Sequence, residues 1–270
     1  MIRLAPLLLL AQLASVARAD PCEDQGGHGP ARAPVRDTGL DVARPVCPED
    51  AVFVDLRGYA LVDTDDFYGT LSASALVGLR VRRERLELEG GARVLDYRFA
   101  QNAVVTAREL AIGPVWLALT RVHPARLLGR GAAWSWTGRL EVPGSDLGYG
   151  ITTGAAAVSL QGVVILGEGL QLLGRMAALG WLAAPIDDPE ARGAVAAALD
   201  FGWRPGARVG LTAGAEVQGG WYGASLDHLL VRGGGSLRLG RFRLELAIAS
   251  PLAGAERTDL VIVLGLARSL

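Results

Sequence analysis

Lysine is absent from this 270-residue chain, so all 27 basic residues are arginines, and charged residues of both signs make up only 20% of the sequence. Acidic residues number 28, which gives a formal net charge of −1. Domains that bind nucleic acid usually carry a clear excess of basic residues. The charge balance therefore gives no reason to expect nucleic acid among the partners of this protein.

The apolar stretch at the N-terminus is short: residues 4–14 follow Arg3. A stretch of this length is too short to cross a bilayer as a helix. Ala17 and Ala19 then supply the pair of small residues that precedes a signal-peptidase site. We therefore predict a removable signal peptide over residues 1–19 and an exported mature chain.

Cysteine is scarce as well, with Cys22 and Cys47 as the only two in the sequence. Both precede the first predicted strand, and after export they meet an oxidising compartment in which cysteines usually pair. We predict a Cys22–Cys47 disulfide. A metal site is the alternative, yet two cysteines and His28 show no recognised ligand spacing. The sequence therefore predicts no metal ion and no cofactor.

The segment 20–49 differs in composition from everything that follows it. It has few large apolar residues and mixed charges, and it contains the prolines Pro21, Pro30, Pro34, Pro45 and Pro48. A segment of this kind does not build a hydrophobic core. We predict a periplasmic N-terminal arm over 20–49 and one β domain over 50–270.

Glycine and alternating apolar residues are what the chain has in abundance. It contains 36 glycines, and hydrophobic residues make up 50% of it, which together with low charge suits strands and tight turns. In 241–248 apolar residues alternate with charged ones, and the same period of two recurs in 71–82, 134–142 and 208–218. Because successive side chains of a strand point to opposite faces, each strand has one apolar and one polar face.

The alternating segments predict twelve strands separated by short turns and longer loops in alternation. The connection at 123–131 is the exception, because it is longer than the pattern requires. A change of phase near Val94 and Leu95 predicts a β-bulge. Two segments could instead be helical, since 147–167 is uncharged and 191–203 is rich in alanine. The predicted strands are 51–63, 68–82, 84–99, 104–121, 131–143, 150–166, 169–182, 192–204, 207–221, 226–239, 241–250 and 258–269.

These features predict an all-β fold, a closed antiparallel up-and-down transmembrane β-barrel of about 12 strands in the bacterial outer membrane. In such a barrel the apolar face meets lipid and the polar face lines the lumen, while closure pairs every backbone donor and acceptor. A soluble periplasmic all-β protein is the alternative, because soluble sandwiches also alternate. Aromatic residues near the predicted strand ends are expected at the membrane interfaces: Tyr68, Trp134, Trp181, Phe201, Trp203, Trp221, Tyr222 and Phe242.

Charged residues on the predicted inner face are the candidate functional residues. We expect them to line a narrow pore or transporter for small solutes, or to fill the interior as a structural ion-pair network. The lipid bilayer, small-molecule solutes and the outer-membrane assembly machinery are the expected partners. The predicted lumen-lining residues are Arg57, Arg80, Glu87, Arg139, Glu141, Arg175, Arg208, Glu216, Arg238, Arg243 and Glu245. The wider inward-facing set adds Asp55, Arg82, Glu89, Asp200, Arg204 and Arg232.

A barrel-embedded enzyme of the lipase or deacylase type is the rival class. It needs a serine nucleophile with a histidine base in reach. His28 and His123 lie in sequence contexts that lack the histidine-x-serine pair of outer-membrane phospholipases. Ser225, Asp227 and His228 cluster near a predicted outer loop, where serine and aspartate more often form turns. We predict no catalytic residue and no enzyme activity.

The segments 109–119 and 138–144 resemble the strand–loop–strand rhythm of small outer-membrane transporter-like barrels, including those associated with phenol-degradation pathways. In that rhythm a Leu-x-Val-Pro-Gly strand end, here 140–144, leads into an external loop. The segment 251–257 before the last strand fits the same style. The resemblance spans about 100–270, implies a solute-handling barrel, and transfers no functional residue.

Overall fold

The computed structural model describes residues 50–63, 68–101, 106–111, 115–142, 154–167, 169–182, 193–205, 208–220, 226–253 and 258–269. No described residue belongs to a helix long and apolar enough to cross a membrane. The predicted signal peptide, the N-terminal arm and the Cys22–Cys47 disulfide lie outside the described residues. The described part forms β1 (Ala51–Asp63), β2 (Tyr68–Arg83), β3 (Leu86–Gln101), β4 (Thr106–Ala111), β5 (Val115–Leu127), β6 (Arg130–Val142), β7 (Ala155–Gly167), β8 (Leu170–Trp181), β9 (Gly193–Trp203), β10 (Val209–Gly220), β11 (Leu226–Leu239), β12 (Phe242–Ala253) and β13 (Thr258–Ser269).

The strands close into one antiparallel barrel. β1 pairs with β2 on one side and with β13 on the other, so the first and last strands complete the circle. β4 and β5 both pair with the same side of β3, β4 along 96–101 and β5 along 86–92. They therefore occupy one position in the wall, which gives twelve positions. The predicted fold, a closed antiparallel barrel of about twelve strands, is confirmed.

Short and long connections separate to opposite ends of the barrel. One end carries two-residue turns such as 84–85 and 240–241, together with the start of β1 and the end of β13, which pair at Ala51 and Ser269. The other end carries the longer connections, among them 143–154 and 182–192. Outer-membrane barrels place short turns and both termini in the periplasm. We refer to the two as the turn end and the loop end.

The long connection expected at 123–131 is wrong, because β5 continues to Leu127 and a two-residue turn leads into β6. Pro124 lies within β5, although proline lacks the backbone donor of a ladder bond. Val122 donates to Arg85 O at 2.9 Å, on the β3 side of β5, and Pro124 has the same orientation. Pairing with β3 ends at Arg121, so the missing donor of Pro124 has no ladder partner to lose. The connection at 123–131 is therefore no longer an exception to the alternation of short turns and longer loops.

The structure also tests the predicted bulge near Val94 and the helical alternative for 147–167 and 191–203. The register of β2 with β3 shifts so that Ala75 faces Leu95 while Leu76 faces Arg93, which leaves Val94 as the extra residue of a bulge. The predicted bulge is confirmed. The helical alternative for 147–167 and 191–203 is wrong where the chain is described, because β7 and β9 occupy those segments.

The barrel is apolar outside and polar inside. Exposed side chains along the strands are large and apolar, as with Leu117 at 56% and Leu160 at 51% exposure, while the alternate positions are buried. The buried positions include charged side chains, with Arg80 at 0% and Glu216 at 1%. A soluble sandwich has the reverse distribution, so that alternative is wrong. A closed barrel with an apolar outer belt is the form in which strands cross a bilayer, and it places the chain in the bacterial outer membrane.

Aromatic side chains gather on the outer face near the turn end. Trp134, Phe201, Trp203 and Phe242 are all exposed there, close to the start or end of their strands. His123 stacks on Trp134 with ring centroids 4.2 Å apart. Aromatic rings with a polar edge favour the boundary between hydrocarbon and water. This set therefore marks the periplasmic membrane interface.

Candidate functional site

The inner face of the barrel carries the charged and polar side chains. Among the residues predicted from the sequence to line the lumen, Arg238 and Glu245 are partly buried, Arg208 is exposed just before β10, and the side chain of Arg57 lies outside the described part. The seven others are buried: Arg80, Glu87, Arg139, Glu141, Arg175, Glu216 and Arg243. The candidate site is therefore the inner wall, where these side chains fall into separate clusters.

The first cluster, which we term the quartet, joins four adjacent strands: Arg175 on β8, Asp200 on β9, Glu216 on β10 and Arg232 on β11. Arg175 Nη2 and Arg232 Nη1 both donate to Glu216 Oε2. The guanidinium of Arg232 also donates to both carboxylate oxygens of Asp200, with Nε at 2.7 Å from Oδ1. Two arginines and two carboxylates thus neutralise one another, which is what burial of charge requires.

Cross-strand register explains how these residues meet. Asp200, Gly214 and Arg232 lie directly opposite one another on β9, β10 and β11. A Cβ on Gly214 would overlap Asp200 Oδ1 and the backbone oxygen of Leu199. The absence of a side chain there lets Asp200 and Arg232 meet across an intervening strand. Ala198 has the corresponding position between Arg175 and Glu216.

The second cluster, which we term the arginine–ring cluster, lies on β1, β2, β3, β5 and β6. Glu89 Oε2 accepts from Arg80 Nε at 2.6 Å, and Glu89 Oε1 accepts from Trp116 Nε1 at 2.8 Å. Arg80 lies over the ring of Phe53 at 4.3 Å, and Arg139 lies over the ring of Trp116 at 4.6 Å. Hydrogen bonds and cation–π contacts together fix both guanidinium groups.

Glycines on the neighbouring strands make room for the two rings. Phe53, Gly78, Gly91 and Trp116 lie in one cross-strand row. A Cβ on Gly78 would overlap the ring of Phe53, and one on Gly91 would overlap the indole of Trp116. The rings therefore lie against bare backbone, and the arginines cover them from the interior.

Two further ion pairs form within single strands. Arg139 pairs with Glu141 on β6, and Arg243 Nε lies 2.6 Å from Glu245 Oε1 on β12. Residues two apart on a strand share a face, so these pairs follow directly from the sequence spacing.

Near the turn end, burial lowers the pKa of the Arg204 guanidinium to about 10, and the positive charge of Arg243 contributes to the shift.

Neutral polar side chains occupy the wall beside the charged clusters. Thr120 and Thr137 share a hydroxyl–hydroxyl bond of 2.8 Å between β5 and β6. Ser135, Ser159, Gln161, Gln171 and Gln218 are also buried on inward-facing positions. Towards the loop end the same sector is apolar, with five alanines and the fully buried Leu179 in one cluster: Ala155, Ala157, Ala177, Leu179, Ala194 and Ala196.

The sequence prediction missed the inward aromatic residues and the neutral polar ones. Trp116 has the same alternation as the inward-facing Thr120, and Ser135 has the same alternation as Arg139, so parity along the strand could have found both. Phe53 follows from the parity of β1 in the same way. The contacts of these residues could not be found, because they depend on which strand positions lie opposite one another.

The residues considered for catalysis or metal binding do not assemble a site within the described chain. His123 is on the outer face, stacked on Trp134. His28 and Ser225 lie outside the described residues, as do the side chains of Asp227 and His228. Across the described residues, no group of three histidine, cysteine or acidic side chains is placed to hold a metal ion.

No family model matches the chain, and no curated protein matches it in sequence. Among solved structures, the chain is similar to an outer membrane channel from Pseudomonas putida F1, with a TM-score of 0.64 and 12% identity over 83% of this chain and 96% of that one. The KdgM porin aligns over 81% of this chain and 99% of that one, with a TM-score of 0.48 and 11% identity. The CymD monoaromatic hydrocarbon channel has the same score and identity, over 94% and 98%. The first of these similarities confirms the resemblance to small outer-membrane barrels at the level of the fold.

Proposed function

We propose that this barrel is a narrow pore or transporter for small solutes, with a lumen lined by arginine and carboxylate side chains. The observation that carries the proposal is the polar inner wall of a closed membrane barrel. A barrel that served only as an anchor could fill its interior with apolar side chains. Charged and hydroxyl-bearing walls instead favour water and polar solutes inside.

The burial of the inner-face residues supports a narrow pathway. Arg80, Ser135 and Thr137 are each 0% exposed, so little of the described inner wall is open to water. Long arginine side chains from facing strands reach across much of a twelve-stranded barrel. Passage therefore depends on gaps between paired side chains, which restricts the pore to small solutes.

The charges of the inner wall nearly balance overall, but individual charged side chains remain close to the interior. This arrangement supports a weak selectivity between cations and anions that single residues control. Arg139 and Glu141 form a pair on β6, so removal of one partner exposes the charge of the other. At a distance of about 7 Å in water, a unit charge contributes about 0.6 kcal/mol to the energy of a passing ion. Because that energy acts with opposite sign on a cation and an anion, it changes the ratio of their permeabilities by about sevenfold.

The test is ion permeation through the refolded barrel in planar bilayers, with two opposed substitutions at this one pair. Arg139→Gln leaves Glu141 uncompensated and is expected to raise the permeability ratio of potassium to chloride. Glu141→Gln leaves Arg139 uncompensated and is expected to lower it. Arg243→Gln, which leaves Glu245, is expected to act in the same direction as Arg139→Gln.

A matched control uses charge on the outer side of the turn end, where Arg268 lies over the ring of Phe242 at 5.8 Å. Arg268→Gln removes the same charge from the opposite face of the wall and is expected to leave the permeability ratio unchanged. If Arg139→Gln and Glu141→Gln shift the ratio no more than this control does, the two residues do not line the ion pathway.

The expectation that the protein is not an enzyme belongs to the same proposal. The second function considered from the sequence, a lipase or deacylase, has no supporting geometry among the described side chains. Insertion by the outer-membrane assembly machinery and the Cys22–Cys47 disulfide also stay predictions. Mass determination of the exported protein before and after reduction tests the disulfide.

A further inference from the structure

A groove crosses the outer face of the barrel next to the turn end, over β10 to β13 and β1. Its volume is about 660 Å³, which lies within the range of about 300–1,000 Å³ typical of small-molecule sites. In a membrane this face meets hydrocarbon, so the groove holds an apolar chain rather than water. The lining includes six exposed leucines: Leu211, Leu237, Leu244, Leu246, Leu264 and Leu266.

Gly235 forms the floor of the groove. It lies between Leu211 on β10 and Leu246 on β12 in one cross-strand row, and both leucines are exposed on the outer face. A Cβ on Gly235 would lie 3.4 Å from Leu211 Cδ2, an ordinary contact distance, so a side chain could be accommodated there. The absence of one therefore leaves the space between the two leucines open.

The end of the groove towards the periplasm lies at the aromatic interface. Leu244 lines the groove and is two residues from Phe242 on the same face of β12. Leu211 also lines it and faces Trp203 across β9 and β10. Phe242 and Trp203 both belong to the exposed aromatic set near the turn end. A lipid chain in the groove therefore has its headgroup end at the level of the periplasmic headgroups.

The exposed charged side chains beside this end of the groove are positive. Arg208 is exposed just before β10, and Arg241 is exposed in the turn between β11 and β12. Arg208 O accepts from the backbone N–H of Arg238 at 2.8 Å, which holds the start of β10 against the end of β11. Arg208 and Arg241 therefore lie on the same part of the rim. Arg268, on β13, instead lies over the ring of Phe242.

The acidic side chains described near this rim are already engaged. Asp50, just before β1, accepts from the backbone N–H of Arg82 with its Oδ1. Glu245 on β12 points to the interior, where it pairs with Arg243. Arginine binds phosphate oxygens through paired N–H groups, and its long stem lets the guanidinium reach the headgroup level. The rim is therefore complementary to an anionic headgroup.

We propose that the groove is a binding site for an anionic phospholipid of the periplasmic leaflet. One acyl chain lies against the leucines over Gly235, and Arg208 and Arg241 bind the headgroup phosphate. Hydrocarbon surrounds the acyl chain elsewhere in the membrane as well, so the groove contributes packing contacts and the two arginines select the headgroup. The site is on the outer face and does not depend on the proposed pore.

The test titrates the refolded barrel in non-ionic detergent with phosphatidylglycerol or with phosphatidylcholine of the same acyl chains. Native mass spectrometry counts the bound lipid, and the unheated gel shift checks that each variant is folded. The wild-type barrel is expected to bind one phosphatidylglycerol molecule. Phosphatidylcholine has no net charge to attract the two arginines and is expected to bind about thirtyfold more weakly.

The charge variant is Arg208→Gln combined with Arg241→Gln, which is expected to weaken phosphatidylglycerol binding by about thirtyfold. Its matched control is Arg85→Gln combined with Arg130→Gln. These two arginines are also exposed at the turn end but lie outside the strands of the groove. The control loses the same charge and is expected to keep the wild-type affinity, so the comparison separates a local site from general attraction to a basic surface.

The groove variant is Gly235→Leu, which fills the floor and is expected to weaken phosphatidylglycerol binding by about fivefold through lost packing contacts. Gly233→Leu is its matched control. Gly233 has the same outward orientation on β11, lies outside the groove, and has room for a Cβ, which would lie 3.8 Å from Thr212 O. This variant is expected to bind phosphatidylglycerol as the wild-type barrel does.

Loss of binding in the Arg208–Arg241 and Gly235 variants, with both controls unchanged, supports the site. Equal affinity for the two lipids overturns it, and so does an equal loss in the two arginine double variants, which would show only diffuse attraction. Equal affinity of Gly235→Leu and Gly233→Leu would place the acyl chain outside the groove and contradict the proposal. A dimer of the barrel that excludes phosphatidylglycerol would assign the groove to a second copy of the chain, which also overturns it.

Discussion

Gly214 is a position at which the interior network is sensitive to a single methyl group. It lies between Asp200 and Arg232 in a cross-strand row, and a Cβ there would overlap both the carboxylate of Asp200 and the backbone oxygen of Leu199. The second overlap involves backbone, so a change of rotamer cannot relieve it. Gly214→Ala is therefore expected to push β9 away and to break the contact of Asp200 with Arg232.

The expected loss follows from two effects. Breaking a buried ion pair by displacing one partner costs about 3–5 kcal/mol, and overpacking costs about 1–3 kcal/mol. Arg232 keeps its contact with Glu216, which reduces the first effect. Taking both effects together, we expect Gly214→Ala to lower the free energy of unfolding by about 2–4 kcal/mol.

Gly174 on β8 supplies the matched control, because a Cβ there would have nothing within 4 Å. An alanine at such a strand position restricts the unfolded chain and stabilises by about 0.4–1 kcal/mol. The two glycine-to-alanine changes are therefore expected to have opposite signs. The assay is urea unfolding of the barrel refolded in detergent micelles, followed by tryptophan fluorescence, with the unheated gel shift as a measure of folded protein. A Gly214→Ala barrel as stable as Gly174→Ala would refute the role assigned to this glycine.

Three further predictions concern charge, the outer face and a turn. Glu216→Gln leaves two buried arginines without their shared carboxylate and is expected to lower the free energy of unfolding by about 3 kcal/mol. Glu245→Gln affects only one ion pair and is expected to lower it by less in the same urea unfolding assay. Leu160→Arg on the outer belt is expected to lower stability in a lipid bilayer by about 2–4 kcal/mol. The control, Leu128→Arg at the exposed tip of the β5–β6 turn, is expected to have little effect. Equal losses of stability in the two variants would contradict the lipid-facing assignment of Leu160. Leu128 has a φ of 51°, so Leu128→Gly is expected to stabilise by about 1 kcal/mol by removing the left-handed strain, and an unchanged urea midpoint would count against it.

The fold could be predicted from the sequence because its signals are local. Alternation along each strand needs only the parity of neighbouring residues, and turn lengths need only glycines and polar pairs between strands. The Val94 bulge followed from a change of parity in the same way. The long connection expected at 123–131 was wrong because β5 continues through Pro124, whose missing donor has no ladder partner where pairing with β3 has ended.

The candidate site could be predicted only as a set of inward positions. Arg139 with Glu141 and Arg243 with Glu245 are two apart in sequence, so spacing alone brings each pair together. Asp200 and Arg232 are on strands that are not neighbours, and no sequence pattern fixes their register. The choice of partners inside the barrel is therefore a property of the closed sheet.

Side-chain length divides the inner wall into sectors with different capacities. The arginine–ring cluster covers β1 to β6, and the quartet covers β8 to β11, where long side chains meet across intervening glycine or alanine. Between them the loop-end half of β7 to β9 has the apolar cluster of five alanines and Leu179: Ala155, Ala157, Ala177, Leu179, Ala194 and Ala196. Gly214 and Ala198 let the charged residues of the quartet meet across an intervening strand, so the ion-pair network depends on where small residues lie in the wall.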